Sequence, residues 1–459
     1  MARRNGANSN ADQRQPVELD GKATPPRRQL AFIATTSLVP NPRNPRKHSR
    51  TQIRAIAKSI EKYNFTQPIL IDANRQIIAG HGRFEAAKFL GLAVVPCICL
   101  DDLTETEIKA YLIADNQLAS RSSWDDPKLA ILLKELSDPE LDFDIEITGF
   151  EVPEVDFRIQ SLDASDATDV ADEFDAPAGP PISIAGDLWL LGAHRLYCGN
   201  ALDASSYAIL MDNEKAAAVV TDAPYNQKIN GHVGGNGRIK HREFAMASGE
   251  MSKEEFADFL TTGLKLMCDH AAAGAVIYGF MDFRHMAEML TAGDAAGCDF
   301  LNLCVWIKSN AGMGSFYRSR HELVFVFRNG KQAHTNQIML GKFGRNRSNA
   351  WFYPGVNSFG RKGTENILAY HPTSKPVALV ADAILDCTKR GDIILDPFVG
   401  GGTTILGAER TGRRGFGIEI DPLYVDTAIA RWEKMTGQRA RNADGMTFAQ
   451  MKSQRSAGQ

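Results

Sequence analysis

The stretch DIILDPFVGGGTTILGAE, residues 392–409, decides the fold. An apolar run ends in Asp396, a turn follows with three consecutive glycines from Gly400 to Gly402, and a helix opens at Thr403 and Thr404. A glycine turn between strand and helix lets a ligand approach the backbone, and the helix start offers unpaired N–H groups and a partial positive charge. Seventeen residues after Gly402 stands Glu419, at the end of the next strand-like run GFGIEI, where a carboxylate can accept both hydroxyls of a ribose. Together these residues read as a nucleoside-binding half-sheet. The turn is not G-x-G-x-x-G, so a dinucleotide pyrophosphate is less well matched than a nucleoside whose amino-acid carboxylate would sit at the helix start. S-adenosylmethionine is such a nucleoside.

Outward from this point, apolar strand runs alternate with helical stretches, the pattern of a doubly wound sheet. Strands are expected at 216–221, 272–280, 301–308, 322–328, 392–398 and 415–420, and helices at 252–268, 283–292, 375–389, 403–411 and 422–435. One strand, in VVTDAPYNQKI (219–229), ends in Asp222, Ala223, Pro224 and Tyr225.

Here the sequence resembles a known family. Asp-Ala-Pro-Tyr is similar to the Asp-Pro-Pro-Tyr catalytic motif of the amino-group DNA methyltransferases, and DPFVGGGTT resembles their Asp-x-Phe-x-Gly-x-Gly cofactor motif, which adds Phe398 to the candidate cofactor residues. The catalytic strand precedes the cofactor strand, as in the permuted β class, and HPTSKPVAL (371–379) resembles the segment before the cofactor strand there. The resemblance covers residues 183–437. It implies an α/β, Rossmann-like, mostly parallel sheet that uses S-adenosylmethionine, with Lys375 on the methionine carboxylate and Asn200 near the adenine.

The chemistry of the motif is intelligible without the family. An exocyclic base amino group is a poor nucleophile because its lone pair is delocalised into the ring. Acceptors that hold both N–H bonds localise that pair; the Asp222 carboxylate can take one and the Ala223 carbonyl the other, while Tyr225 can stack on a base extruded from the duplex. A sulfonium is an excellent leaving group, so neither a metal nor a covalent nucleophile is called for, and catalysis is positioning plus electrostatics. The sequence departs from the family at Ala223, where proline is usual: the carbonyl remains, but the fixed φ is lost.

Target recognition is expected at 331–365, where Lys331, Lys342, Arg345, Arg347, Arg361 and Lys362 face Glu365 alone and are interleaved with Phe343, Trp351, Phe352, Tyr353 and Phe359. Such cations suit phosphates and such rings suit bases. Arg318, His321 and Glu322 are read as bracing the sheet edge. The loop 226–241 is read as closing over the flipped base.

Upstream, IIAGHGRFEAAKFLG (77–91) sets Gly80, His81, Gly82 and Arg83 between a strand and a helix, a candidate phosphate site. The segment resembles the ParB/sulfiredoxin-like fold over residues 34–121, which implies a possible nucleotide ligand. No helix-turn-helix is expected after it. The expected organisation is a disordered tail (1–29), a small α/β ParB-like domain (30–125), a helical segment with an acidic linker (126–181), a methyltransferase domain (182–437) and a frayed C-terminal tail (438–459). The best boundary is 161–181, with six acidic residues and no basic ones.

Across 459 residues, 52 Lys and Arg against 55 Asp and Glu leave a net charge of -3, so any nucleic-acid site must be a local patch. No run is long and apolar enough for a membrane span, and seven cysteines without a C-x-x-C pair suit a reducing cytoplasm. The expectation is therefore a monomeric or homodimeric cytoplasmic enzyme that methylates double-stranded DNA by base flipping, adenine N6 before cytosine N4. The alternatives are a ParB-like nucleotide- or DNA-binding protein with an inactive methyltransferase half, or a protein-glutamine methyltransferase.

Overall fold

The computed structural model describes residues 28–120, 124–138, 141, 143–160, 162, 170–172, 179–227, 247–309, 316–342, 345–354 and 375–457. The chain divides into two compact units, Met1–Trp124 with Ile147–Gly149, and Asp125–Glu146 with Phe150–Gln459.

The first unit runs β1 (Leu30–Ala34), α1 (Arg50–Tyr63), β2 (Ile69–Ile71), β3 (Ile77–Ala79), α2 (His81–Phe89), β4 (Val94–Cys99) and α3 (Glu105–Ser120). Ser49 caps α1 by accepting from the Gln52 N–H at 3.1 Å. The i, i+3, i+4, i+7 spacing of Ile53, Ile56, Ala57 and Ile60 turns one apolar face inward, where Ala57 and Ile60 are buried with Ala86. Gly91, at φ +68, follows the end of α2 as the expected left-handed residue. The sheet order is β1-β4-β2-β3.

The second unit begins with α4 (Asp126–Leu136) and α5 (Val152–Gln160), then β5 (Leu188–Leu191), β6 (His194–Cys198), α6 (Ala204–Met211), β7 (Ala216–Thr221), α7 (Lys253–His270), β8 (Ala271–Met281), α8 (Met286–Ala295), β9 (Cys298–Ile307) and β10 (His321–Asn329). It continues with β11 (Ala350–Phe352), α9 (Val377–Cys387), β12 (Ile393–Asp396), α10 (Thr403–Thr411), β13 (Arg414–Glu419), α11 (Pro422–Thr436), β14 (Arg441–Asn442) and α12 (Phe448–Ala457). Ten strands form one sheet, β11-β9-β10-β8-β7-β12-β13-β6-β5-β14. Its centre, β8-β7-β12-β13-β6, is parallel throughout. Buried on both faces, these strands carry continuous apolar runs rather than alternation, which is why AAAVVT and DIILD are legible as strands. The flanking pairs β10–β8, β10–β9, β5–β6 and β14–β5 are antiparallel.

Two expectations are corrected. The acidic stretch does not bound the methyltransferase half, because α4 and α5 already belong to the second unit. They close their own small core of Leu129, Leu133, Ile145, Val155 and Ile159. Asp156 on α5 then pairs with two arginines of the sheet domain: Arg413 at 2.9 Å, which is fully buried, and Arg390 at 3.0 Å. The C-terminal segment is folded rather than frayed. Phe448 meets Trp189 edge-on, Met451 is buried, and Arg455 holds Asp187 at 2.6 Å. Residues 1–27, nearly all of the expected N-terminal tail, lie outside the described residues.

Candidate active site

Four adjacent parallel strands present their carboxyl ends along one edge, and each delivers a candidate residue: Asp222 after β7, Asp396 ending β12, Glu419 ending β13, and Asn200 two residues beyond β6. This edge of an open α/β sheet is where such folds bind ligands.

The glycine turn is built for close approach. Gly402 caps α10 in the left-handed conformation, φ +85, with no side chain covering the helix start. A Cβ there would lie 2.7 Å from the Ala428 Cβ, so only glycine fits. Gly400 donates its N–H to Glu419 Oε2 at 2.9 Å, and Asp421 donates its N–H to Oε1 at 2.8 Å. Asp396 accepts from the Thr404 hydroxyl at 2.6 Å and from the Phe398 N–H at 3.1 Å. Burial pushes the Asp396 and Glu419 carboxyls each up to about 7. Asn200 accepts from the Leu202 N–H at 2.9 Å. Arg431 was missed by sequence reading: from α11 it donates to the Gly401 carbonyl at 2.6 Å and to the Thr403 hydroxyl at 3.3 Å, bracing the turn from behind. The available signal is a cation on the same helix face as Ala428 and Trp432, both buried.

Beside this turn, Asp222 anchors a second cluster. Tyr225 donates its hydroxyl to Asp222 Oδ1 at 2.7 Å, which fixes the ring that sequence reading assigned to base stacking. Lys375 differs from expectation. Its ammonium donates to Asp222 Oδ2 at 2.6 Å and pairs with Glu322 Oε2 at 3.0 Å, with the Phe280 ring 5.1 Å away. Two half-buried carboxylates hold that cation. Glu322 does both: it braces the sheet edge through Lys308, just beyond β9, and enters the site through Lys375. Ala223 is buried and Pro224 half-buried beside Asp222. Asn226 ties the two ends of the following loop, accepting from Gly249 and Met251 N–H groups at 3.0 and 3.2 Å. The loop itself, 228–246, lies outside the described residues.

The basic segment is corrected in part. Arg345 is buried, donating to Asp386 at 2.6 Å and Gln160 at 2.9 Å. Arg347 pairs with Asp382 and Asp386, both at 3.1 Å, and donates to the Tyr353 hydroxyl at 2.6 Å. Guanidinium groups engaged this way weld β11 to α9 and are not offered to phosphates. Trp351 is in the core. Lys342, paired with Glu151 at 3.3 Å, and Phe352 remain at the surface. Arg361 and Lys362 lie outside the described residues, as do Phe343 and Phe359.

In the first unit, Gly80 caps α2 at φ +97 and Arg83 donates to the Gln67 side chain at 2.8 Å. His81 Nε2 faces the Asn41 N–H at 3.3 Å, and burial lowers the His81 pKa, so the ring is neutral at neutral pH. Gly82 starts the helix packed toward His48, where a Cβ would come within 3.1 Å of the His48 ring. The four residues are thus brought together at one helix start.

Residues 216–430, which contain both clusters, match the family described as DNA methylase, the N6 and N4 amino-methyltransferases. The chain carries an amino-group DNA methyltransferase domain. Residues 21–116 match the ParB N-terminal domain, so the methyltransferase carries a ParB-like domain in front. Residues 127–185 match the ParB-methyltransferase helix-turn-helix domain, which overturns the expectation that no such motif follows. Its signal was hidden by charge, fifteen acidic residues against Lys128, Lys134 and Arg158, the opposite of a DNA reader's balance. The chain is similar to the type II methyltransferase M2.DpnII of Streptococcus pneumoniae, 27% identical over 239 residues, 50% of this chain and 87% of the relative. It is similar also to the type II methyltransferase M.HpaI of Haemophilus parainfluenzae, 24% identical over 251 residues, 52% of this chain and 73% of the relative. Among solved structures, the M1.HpyAVI–SAM complex aligns at TM-score 0.39 and 20% identity, covering 51% of this chain and 97% of that chain.

S-adenosylmethionine is the methyl donor of this family, and the residues fit it: a turn that a single Cβ would fill, an uncapped helix start, and a carboxylate on the neighbouring strand. Among the described residues no helix is long and apolar enough to cross a membrane.

Proposed function

We propose that this enzyme methylates adenine N6, in preference to cytosine N4, in double-stranded DNA, on a base turned out of the helix. The observation that carries the reading is the adjacency of β7 and β12, which sets Asp222 and the glycine turn side by side at one sheet edge. Gly400, Gly402, Thr403 and Thr404 at the start of α10, with Asp396, Phe398, Glu419 and Asn200, hold the donor. When bound, S-adenosylmethionine supplies an electrophilic methyl group on a sulfonium. Asp222 and the Ala223 carbonyl accept the two amino hydrogens and localise the lone pair of the base nitrogen. Tyr225 steadies the Asp222 carboxylate through its hydroxyl and offers its ring for stacking on the extruded base. Aspartate at the first motif position supports adenine. Digesting DNA methylated with labelled donor to deoxynucleosides tests this: N6-methyldeoxyadenosine is expected, and N4-methyldeoxycytidine alone sinks the preference.

Two further outcomes are expected. Ribose hydroxyls need an ionised Glu419, and burial holds that group near 7. Donor affinity should therefore strengthen severalfold as pH rises from 6 to 8 and weaken in reverse. Calorimetric titration of wild type and Glu419→Gln checks this, with the pH dependence reduced in the variant to the part that Asp396 contributes. On the DNA side, Lys342→Ala should lower the slope of log affinity against log salt by about 1. Arg345→Ala should leave the slope unchanged while lowering stability.

The first unit is read as a nucleotide-phosphate site at Gly80, His81, Gly82 and Arg83, supported by the uncapped start of α2. The enzyme is read as cytoplasmic, working as a monomer or homodimer, in keeping with a DNA substrate and seven cysteines that are all free thiols.

A further inference from the structure

Glu322 has no part in the motifs that define the catalytic strand, yet its carboxylate is bound into the acceptor cluster. It stands second on β10, opposite Trp306 on β9, and takes Lys308 on Oε1 and Lys375 on Oε2, the latter at 3.0 Å. Lys375 in turn reaches Asp222 Oδ2 at 2.6 Å, and its ammonium is surrounded by the rings of Phe280, Tyr225 and Trp306 at 5.1, 5.5 and 5.9 Å. A half-buried set of two carboxylates and two ammonium groups around the buried Lys375 is an expensive way to stabilise a fold, since apolar residues of the same volume do as well or better. Its charges balance, and one of them is the group that must accept the substrate hydrogen.

We propose that Glu322 is a positioning residue for methyl transfer: by sharing the Lys375 ammonium with Asp222, it keeps that cation between two carboxylates and leaves Asp222 a lone pair for the amino group of the base. The inference rests on the reading of Asp222 given above. Without Glu322, the ammonium has one carboxylate to serve and settles fully on Asp222, competing with the substrate N–H for the same oxygens. A displacement of this size at a reacting group costs turnover rather than binding.

The charged groups facing Asp222 are Lys375 ahead of α9, Glu322 on β10 with Lys308 behind it, and Asp396 on β12, with the Tyr225 hydroxyl completing the shell. Burial raises the Asp222 pKa, Lys375 opposes the rise, and Glu322 adds to it. Asp222 works ionised, so turnover is present above its pKa and is lost as pH falls through it. Removing the Glu322 charge lowers that pKa, which moves the acid limb of the kcat profile to lower pH even as the plateau drops. A side chain that only held the strand in place would lower kcat without moving the limb in this direction.

The test is steady-state methylation of duplex DNA by the full chain across pH, for wild type, Glu322→Gln, Glu322→Asp and Asp222→Ala. Glu322→Gln is expected to lose on the order of 10-fold to 100-fold in kcat, with KM for DNA little changed and the acid limb at lower pH. Glu322→Asp, which keeps the charge one methylene further back, should recover part of the loss; should Glu322→Gln fail to fold, Glu322→Ala, which also removes the charge, carries the same test through the position of its acid limb. Wild-type kcat in both variants, or a loss with the acid limb unmoved, overturns the proposal while Asp222→Ala is still inactive. A wild-type chain that transfers no methyl to DNA, or an Asp222→Ala variant as active as wild type, overturns the reading of the site itself.

Discussion

Asp222→Ala is expected to lower kcat for DNA methylation by about 10³-fold, the loss typical of removing a group aimed at the reacting atom. Asp222 is the first residue beyond β7, its Oδ1 held by Tyr225 and its Oδ2 by Lys375, so the carboxylate is oriented before substrate arrives. Alanine removes the acceptor for one amino hydrogen and leaves the lone pair of the base delocalised. The donor cradle is built from other strands, β12 and β13, and calorimetry should find donor binding largely retained. Single-turnover transfer with saturating DNA and donor is the measurement, and near wild-type rates would sink the catalytic assignment. The partner acceptor, the Ala223 carbonyl, belongs to the backbone and cannot be deleted in the same way, which makes Asp222 the informative position.

The second large effect concerns stability. Asp156→Ala should destabilise the second unit by about 3 to 5 kcal/mol, because it leaves Arg413 buried without its carboxylate. Arg413 is fully enclosed, donating also to the Thr388 carbonyl at 2.7 Å and the Thr411 carbonyl at 2.6 Å, so the cation has no route to water. Denaturant unfolding of wild type and variant measures the difference. A loss below about 1 kcal/mol, the range of an exposed pair, would mean that α5 is not clamped to the sheet domain. The outcome bears on the helix-turn-helix segment, whose α4 and α5 are bound to the methyltransferase by Asp156 and by Gln160, which contacts Asp382 at 2.7 Å.

Much of this architecture is written in short-range patterns. The central strands β7, β12 and β13 are uninterrupted apolar runs, and the helices α10 and α11 lie where the sequence periodicity puts them. The glycine turn was legible because its requirement is local: Gly402 needs a positive φ and no Cβ. Short strands toward the sheet margins were not legible: β5, β11 and β14 span four, three and two residues, and the edge strands β11 and β14 draw their identity from partners far along the chain. Burial of cations was not legible either. Arg345, Arg347 and Arg413 read as surface groups until Asp382, Asp386 and Asp156 are brought to them by the fold. The same holds for Lys375 and Glu322, which lie 53 positions apart in sequence and 3.0 Å apart in space. Motifs located the carboxylate proposed as acceptor, and tertiary structure supplied the charges around it.

The most direct measurement is the fate of labelled methyl from S-adenosylmethionine when the full chain meets unmethylated genomic DNA. Label recovered in DNA as N6-methyldeoxyadenosine, and lost with Asp222→Ala, is the expected result. Label found on protein alone, or on DNA with Asp222→Ala as active as wild type, would contradict it.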